Sequence, residues 1–451
     1  MTAARIVVAG THSGVGKTTI ATALMAAFRR RGHRVQGFKV GPDFIDPTFH
    51  RDASGRPSRN LDGWMLSRET NLAVFQHAAQ DADVAVIEGV MGLFDGQSAS
   101  ELSGSTAEMA MWLDAAVVLV VDASAMAGSV AAVVHGFDHL VPELRLAAVV
   151  CNRVSSDRHY DYLRGGIAAR CRPESVGYLP PTPELSLPER HLGLHLASEV
   201  LTEDRLRQLA EWAETHLDLD RLIELGRQRK ALDPPSLPLG APSAVRTRIG
   251  VARDTAFCFY YEDNLDLLRA LGAEVVEFSP IKDAALPEGL GGIYFGGGYP
   301  ELHAQALATN ESMRAAVAQF VSTGGPVYAE CGGFMYLTEA IVDAQGGSWP
   351  MAGVFPTRAR MQTRLVRLGY MEVEGAVEDG WLVPGVPARG HEFRYSVIDP
   401  MPDAVNRVYR SPAEGYGIQS TLASYIHLHF LSCQHFADRF VTACTRYHST
   451  I

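Results

Sequence analysis

Ile6-Val-Val-Ala9 is a short apolar run, and Gly10-Thr-His-Ser-Gly-Val-Gly-Lys-Thr-Thr19 comes directly after it, opening an alanine-rich amphipathic stretch that runs to about Arg30. A buried strand, a glycine loop and a helix in that order are the context in which such a loop binds phosphate. The glycines bare backbone N–H groups that can ring a polyphosphate at the start of the helix. Thr11, Ser13, Gly14, Val15, Gly16, Lys17, Thr18 and Thr19 are therefore the candidate ATP-binding residues. In this layout Lys17 reaches the outer phosphates and the Thr18 hydroxyl sits on Mg²⁺. One position departs from the usual spacing: Thr11 stands where a glycine is expected, with Gly10 just before it. A chance glycine-rich turn is the competing account.

The strand–helix rhythm then repeats down the chain. Val35–Val40 reads as a strand leading into Lys39-Val-Gly-Pro-Asp-Phe-Ile-Asp-Pro47, which puts Asp43 and Asp46 in a loop past a strand's C-terminal end. Open α/β sheets bind ligands there, although Pro-Asp and Asp-Pro are also ordinary turn chemistry. Asp43 is a candidate metal ligand. Lys39 and Asp46, with Asn60 and Asp62 of the polar stretch Arg59–Asp62, are candidate substrate contacts. The apolar run Val84–Ile87 ends in Glu88, a carboxylate placed to hold Mg²⁺ or its water. Ala115–Asp122, Leu146–Val150 and Ser175–Leu179 are further strands, and Asn152 after the second of these either touches adenine or caps a turn. The alternation predicts an α/β fold with a doubly wound parallel sheet.

A chain of 451 residues exceeds what one core usually organises. A charged helix is expected from about 200 to 230, and the proline-rich, aperiodic stretch 231–247 reads as a linker. The expected domains are thus 1–230 and 248–451. A formal charge of −11 argues against nucleic acid or an anionic membrane as the main partner. The six cysteines show no metal-ligand spacing and read as reduced thiols of a cytoplasmic protein. No signal segment is evident at the N-terminus, and no run approaches the ~18 apolar residues of a membrane span. The oligomeric state is left open, a homodimer being one option.

The second half starts a new α/β series at Arg248-Ile-Gly-Val-Ala252 and carries its own glycine loop, Gly296–Gly298, without a Lys-Thr pair. Pro326-Val-Tyr-Ala-Glu-Cys-Gly-Gly-Phe-Met335 has the layout of a nucleophile elbow: a β-forming run, a sharp turn at Cys331, then a helix whose free N–H groups favour a thiolate. A buried structural cysteine is the bland alternative. About a hundred residues on, Ser424-Tyr-Ile-His-Leu-His-Phe430 alternates like a strand and puts His427 and His429 on one face. A thiol and an imidazole together suit acyl-enzyme chemistry. The backbone N–H groups of Gly297, Gly298 and Gly332 are the candidate oxyanion donors. His391-Glu392 looks like half a metal site without a partner, and is taken as structural or as a substrate contact.

Together these segments resemble a known family. Thr11–Thr19, Lys39–Pro47, Glu88–Gly96, Glu330-Cys-Gly-Gly333 and Ala423-Ser-Tyr-Ile-His-Leu-His429 are similar, in this order, to the cobyrinic or hydrogenobyrinic acid a,c-diamide synthases. The resemblance covers nearly the whole chain. It implies a dethiobiotin-synthetase-like ATP domain followed by a class I glutamine amidotransferase domain of the cobyric acid synthase type. The implied activity is ATP- and glutamine-dependent amidation of two acetate carboxylates of a corrin macrocycle in cobalamin biosynthesis, through acyl phosphates. Class I domains commonly carry His-x-Glu, and the resemblance then puts His427 at the base position and His429 where the orienting carboxylate belongs. Cobyrinate, hydrogenobyrinate and a nickel sirohydrochlorin remain open as substrates. A P-loop ATPase or switch with a non-catalytic second domain, and a dethiobiotin-like carboxylase, are the rivals. Neither explains the Cys331 elbow and His427 together.

Overall fold

Six largely apolar runs and the short polar stretch Arg59–Leu61 become the parallel strands of one sheet in the computed structural model: β1 (Ala4–Gly10), β2 (Val35–Val40), β3 (Arg59–Leu61), β4 (Val84–Glu88), β5 (Ala116–Asp122), β6 (Leu146–Asn152) and β7 (Glu174–Leu179). Their order is β3-β2-β4-β1-β5-β6-β7, so the chain leaves β1 in one direction and later returns on its other side. The helices between them are α1 (Lys17–Arg30), α2 (Asp46–Ser54), α3 (Arg68–Ala79), α4 (Thr106–Trp112), α5 (Ser129–His139) and α6 (Asp157–Arg170). Strands covered on both faces need no polar alternation, and every residue of β1, β2 and β4 is buried. Leu24, Met25 and Phe28 of α1 are fully buried, each worth about 1.5–3 kcal/mol of apolar transfer.

The structure describes residues 3–187, 200–228, 230, 232, 244–412 and 414–449. The chain divides into two units, Met1–Leu237 and Pro238–Ile451, with separate cores. The proline-rich stretch expected to join the two halves falls largely outside the described residues. The charged helix expected from about 200 to 230 is two helices, Glu203–His216 and Leu219–Arg227. The break lies at Leu217-Asp218, where the Asp218 side chain accepts the Arg221 N–H (3.0 Å) and caps the second helix.

In the second unit β8 (Thr247–Ala252), β9 (Ala273–Phe278), β10 (Gly292–Phe295), β11 (Val327–Glu330) and β20 (Thr421–Ser424) pair in parallel. The antiparallel β18 (Asn406–Arg407) and β19 (Tyr416–Ile418) extend that sheet on the β20 side. β12 (Thr338–Val342), β13 (Ser348–Pro350), β14 (Phe355–Met361) and β17 (Ser396–Ile398) make a four-stranded sheet. β15 (Arg367–Val373), β16 (Ala388–Arg394) and β21 (His427–Leu428) make a three-stranded one. Here the structure corrects the sequence expectation. Ser424–Phe430 is not one strand: it ends β20 in the large sheet, turns, and supplies β21 to the small one. The Ser424 hydroxyl accepts the Ile426 N–H (3.0 Å) and the Glu414 carboxylate accepts that of Tyr425 (2.9 Å), which satisfies the backbone across the turn.

Candidate functional site

In the first unit three strand ends meet. Val8 of β1 and Lys39 of β2 both lie in register with Glu88 of β4. The Glu88 carboxylate, fully buried, accepts the Thr18 hydroxyl (2.7 Å) and the Lys39 ammonium (3.0 Å) on Oε1, and its Oε2 meets His50 Nε2 at 2.6 Å. Lys39 also pairs with Asp46 (2.7 Å) and donates to the Gly89 carbonyl. Burial pushes Asp46 up, and the Glu88 charge pushes it further, to about 6 against the pull of Lys39. Burial also opposes ionisation of Glu88, but Lys39 and the His50 hydrogen bond outweigh it and hold that group below the carboxylate range. Lys39 is likewise kept above its ordinary value by the two carboxylates despite its burial.

The glycine loop is built as a phosphate cradle. Gly14 and Gly16 take positive φ (78° and 101°), and a Cβ on Gly16 would meet Asn152 Nδ2 at 2.6 Å. Lys17 donates to the carbonyls of His12 (3.2 Å) and Met91 (2.5 Å), and burial, with Lys39 nearby, lowers it to about 8. Asn152 donates to the Val15 carbonyl (2.8 Å), so its amide braces the loop. Arg153, in a left-handed conformation (φ 60°), reaches the Gly14 carbonyl (3.0 Å) and Asp122 (2.5 Å). Beside the loop lies a cavity of about 190 Å³ whose walls include Thr19, Asn152, Pro181, Leu185 and Trp212.

In the second unit β11 delivers Cys331 into a strained turn, φ 46° and ψ −103°, with the helix Gly332–Leu337 starting at the next residue. The Cys331 N–H is tied to the Ser424 carbonyl (2.8 Å). A Cβ on Gly333 would sit 2.6 Å from Phe295, so the helix can start here only without one. The His427 imidazole faces Cys331 closely enough to interact with it electrostatically, and Glu330 Oε2 lies 3.7 Å from its Nδ1. Burial disfavours an imidazolium, yet the Cys331 and Glu330 charges raise His427 to about 9. A thiol and an imidazole side by side are what covalent amide chemistry requires.

The glycine loop after β10 packs on this pair: a Cβ on Gly297 would come within 2.3 Å of His427 Cε1. Among the described residues the N–H groups of Gly298 and Gly332 have no backbone acceptor. A Cβ on Gly332 would stand 3.0 Å from the Gly298 nitrogen, so the two lie close together. Gly297 departs from the expectation, because its N–H is given to the Phe259 carbonyl (3.2 Å) in a bridge that holds the loop.

Residues 6–194 match the family model described as the CobQ/CobB/MinD/ParA nucleotide binding domain, and residues 248–435 match the CobB/CobQ-like glutamine amidotransferase domain. The cobyrinate a,c-diamide synthase of Syntrophotalea carbinolica is 44% identical over 460 residues, covering 98% of this chain and 99% of that one. Those of Priestia megaterium and Thermoplasma volcanium are 42% and 41% identical, each across 98% of this chain and 97% and 98% of theirs. The chain belongs to the cobyrinate a,c-diamide synthase family.

Against that family background, four expected site residues are placed otherwise than the sequence suggested. His429 closes the β21 segment with its ring packed against Tyr261, tilted by 31° (4.6 Å between centroids). Neither of its ring nitrogens has a hydrogen-bond partner among the described residues, and burial alone pushes it down to about 3. It is a neutral core imidazole, and the break after Ser424 removes the alternation that would have aligned it with His427. Asn60 donates to the Gly41 and Asp43 carbonyls (2.8 Å each), and Asp62 Oδ1 caps the turn at Trp64 and Met65. Both are buried supports of the loop after β2. Asp43 Oδ1 accepts the Ile45 N–H (2.8 Å) at the start of α2. Among the described residues no three His, Cys, Asp or Glu side chains gather as a metal cluster. Thr18 and Glu88 are the oxygens that come together.

Three further residues of this family member carry no clear mark in the sequence. His50 stands one helical turn after Asp46 on α2, and that i, i+4 spacing was the available signal. Arg153 and Glu330 gave none, since their partners are far away in the chain or beside them in an unpromising order.

Proposed function

We propose that the first unit uses ATP to activate the a and c acetate carboxylates of cobyrinate, and that the second supplies ammonia from glutamine to displace the phosphate. In the first unit a carboxylate oxygen of the substrate attacks the γ-phosphorus, ADP leaves, and an acyl phosphate forms. The loop N–H groups and Lys17 face the phosphates. Lys39, set between Asp46 and Glu88 beside Lys17, supplies a second cation there. Thr18 and Glu88 form a pair of hard oxygen ligands that fits Mg²⁺ when phosphate oxygens and water complete the shell. Bound there, the ion neutralises charge on the β- and γ-phosphates.

In the second unit Cys331 Sγ attacks the glutamine side-chain amide carbon. The N–H groups of Gly298 and Gly332 support the oxyanion. His427 gives its proton to the departing nitrogen, and ammonia is released. A water, deprotonated by His427, then cleaves the thioester to glutamate. The ammonia attacks the acyl phosphate carbonyl and phosphate departs, leaving the amide.

One observation carries this proposal. A glycine loop with Thr18, Glu88 and Lys39 converging, and Cys331 facing His427, sit on a chain that matches a relative over 98% of its length. The test is mass spectrometry of cobyrinate incubated with enzyme, ATP, Mg²⁺ and glutamine, with hydrogenobyrinate and nickel sirohydrochlorin in parallel. Mono- and diamide forming only when both ATP and glutamine are present is the expected result. ATP turnover indifferent to glutamine and to every macrocycle would favour a bare ATPase instead.

A further inference from the structure

We propose that Glu330, the residue immediately before the nucleophile, is the positioning carboxylate of the glutamine site, holding His427 oriented toward Cys331. The inference rests on the glutaminase role given to the second unit.

An ionised carboxylate offers about four acceptor positions. On Glu330 three are filled by fixed donors: the Tyr328 hydroxyl (2.7 Å) and the Leu428 N–H (2.9 Å) on Oε1, and the Tyr294 hydroxyl (2.9 Å) on Oε2. The remaining position on Oε2 faces His427 Nδ1 at 3.7 Å. At that distance the carboxylate acts on the ring through its charge, within ion-pair reach, and not as a hydrogen bond. The side chain is 1% exposed, and the three donors are all neutral. A buried charge without a cation is costly, and among the described residues the cation placed to offset this one is the His427 imidazolium.

The geometry has a simple origin. Glu330 is the last residue of β11, and the Leu428 N–H in β21 hydrogen-bonds its carboxylate. One residue therefore fixes the backbone of the strand that bears the base, and a second atom of the same group faces its ring. Tyr294 on the neighbouring β10 holds the carboxylate from the side. His391, on β16, stacks on His427 (4.9 Å between centroids, 15° between planes) and is kept neutral by burial and by His427 itself. Among the described residues, Cys331, Glu330 and His391 are titratable groups that face His427. His429, with no bond to any of them, leaves the orienting place to Glu330.

The test pairs Glu330→Gln with Cys331→Ala in the full-length enzyme. Glu330→Gln should lower glutamine-driven kcat by about a hundredfold or more, the scale on which triads respond to loss of their carboxylate. KM for glutamine and ammonia-driven turnover should hold. Glu330→Asp, which keeps the charge at shorter reach, should recover part of the rate. In ¹⁵N-histidine-labelled protein carrying Cys331→Ala, adding Glu330→Gln should drop the His427 pKa by at least one unit. Equal losses in the Gln and Asp variants with an unmoved His427 titration would make Glu330 a structural strut and overturn the proposal. Should Glu330 variants not fold, Tyr294→Phe leaves the charge and removes one donor from Oε2, so His427 should titrate higher; no change there would also refute it. If Cys331→Ala itself retains glutamine-driven activity, the glutaminase reading fails, which is a separate outcome.

Discussion

Cys331→Ala should abolish glutamine-driven amidation and leave ammonia-driven amidation intact, read as diamide formed with each nitrogen source. The pH profile comes from the same pair. The His427 pKa is raised, to about 9, so the imidazolium needed to protonate the leaving nitrogen is present below that pH and lost above it. Glutamine-driven kcat should therefore fall through about pH 9, while ammonia-driven turnover, fed by a growing share of free base, should not. Gly297→Ala would place a methyl 2.3 Å from His427 Cε1, and an overpacked core costs about 1–3 kcal/mol. At least a tenfold loss of glutamine-driven rate is expected, with ATP affinity unchanged. At this scale the sequence was legible wherever a function needs neighbours in the chain: Lys17 and Thr18, the Cys331 turn, the carboxylate at the end of β4. It could not show that Asn60 and Asp62 bond the backbone of the loop after β2, or that the break after Ser424 takes His429 out of alternation with His427, because residue type and a strand-like pattern do not reveal such tertiary partners. Glu330 lies inside the elbow motif yet signals no role of its own, since its partner His427 is almost a hundred residues downstream.

The elements show what braces the glycine loop. β6 ends in two side chains turned back onto it, Asn152 to the Val15 carbonyl and Arg153 to that of Gly14. Asn152→Ala removes a buried hydrogen bond worth about 1 kcal/mol, so KM for ATP should rise roughly five- to tenfold with kcat nearly kept. An unchanged KM would show that the loop is rigid without that brace. Six strands of the first sheet could be read within a residue or two from their apolar runs, since a doubly covered strand leaves a continuous pattern; the short polar β3 (Arg59–Leu61) read as a loop. α2 could not, because Asp-Pro read as turn chemistry, and with it went His50. The turn at Ser424–Ile426 was hidden by an alternation that continued through it, although the backbone there is satisfied by Glu414 and the Ser424 side chain.

For the whole molecule, two cores carry two chemistries, and variants should sort accordingly. Lys17→Ala should stop amidation from both nitrogen sources while leaving Cys331 open to alkylation by iodoacetamide, because nothing in the second unit's core depends on that lysine. The turn after β20 has a consequence of its own. The sulfur rides on the seven-stranded sheet, whereas the imidazole rides on β21, the edge of a three-stranded one. Their alignment is set by how two sheets abut, and a small sheet yields to heat or denaturant before a broad one does. Under a slow urea ramp, then, nitrogen release should fade first, and an enzyme blind to glutamine should still be able to build its amides from ammonium salts.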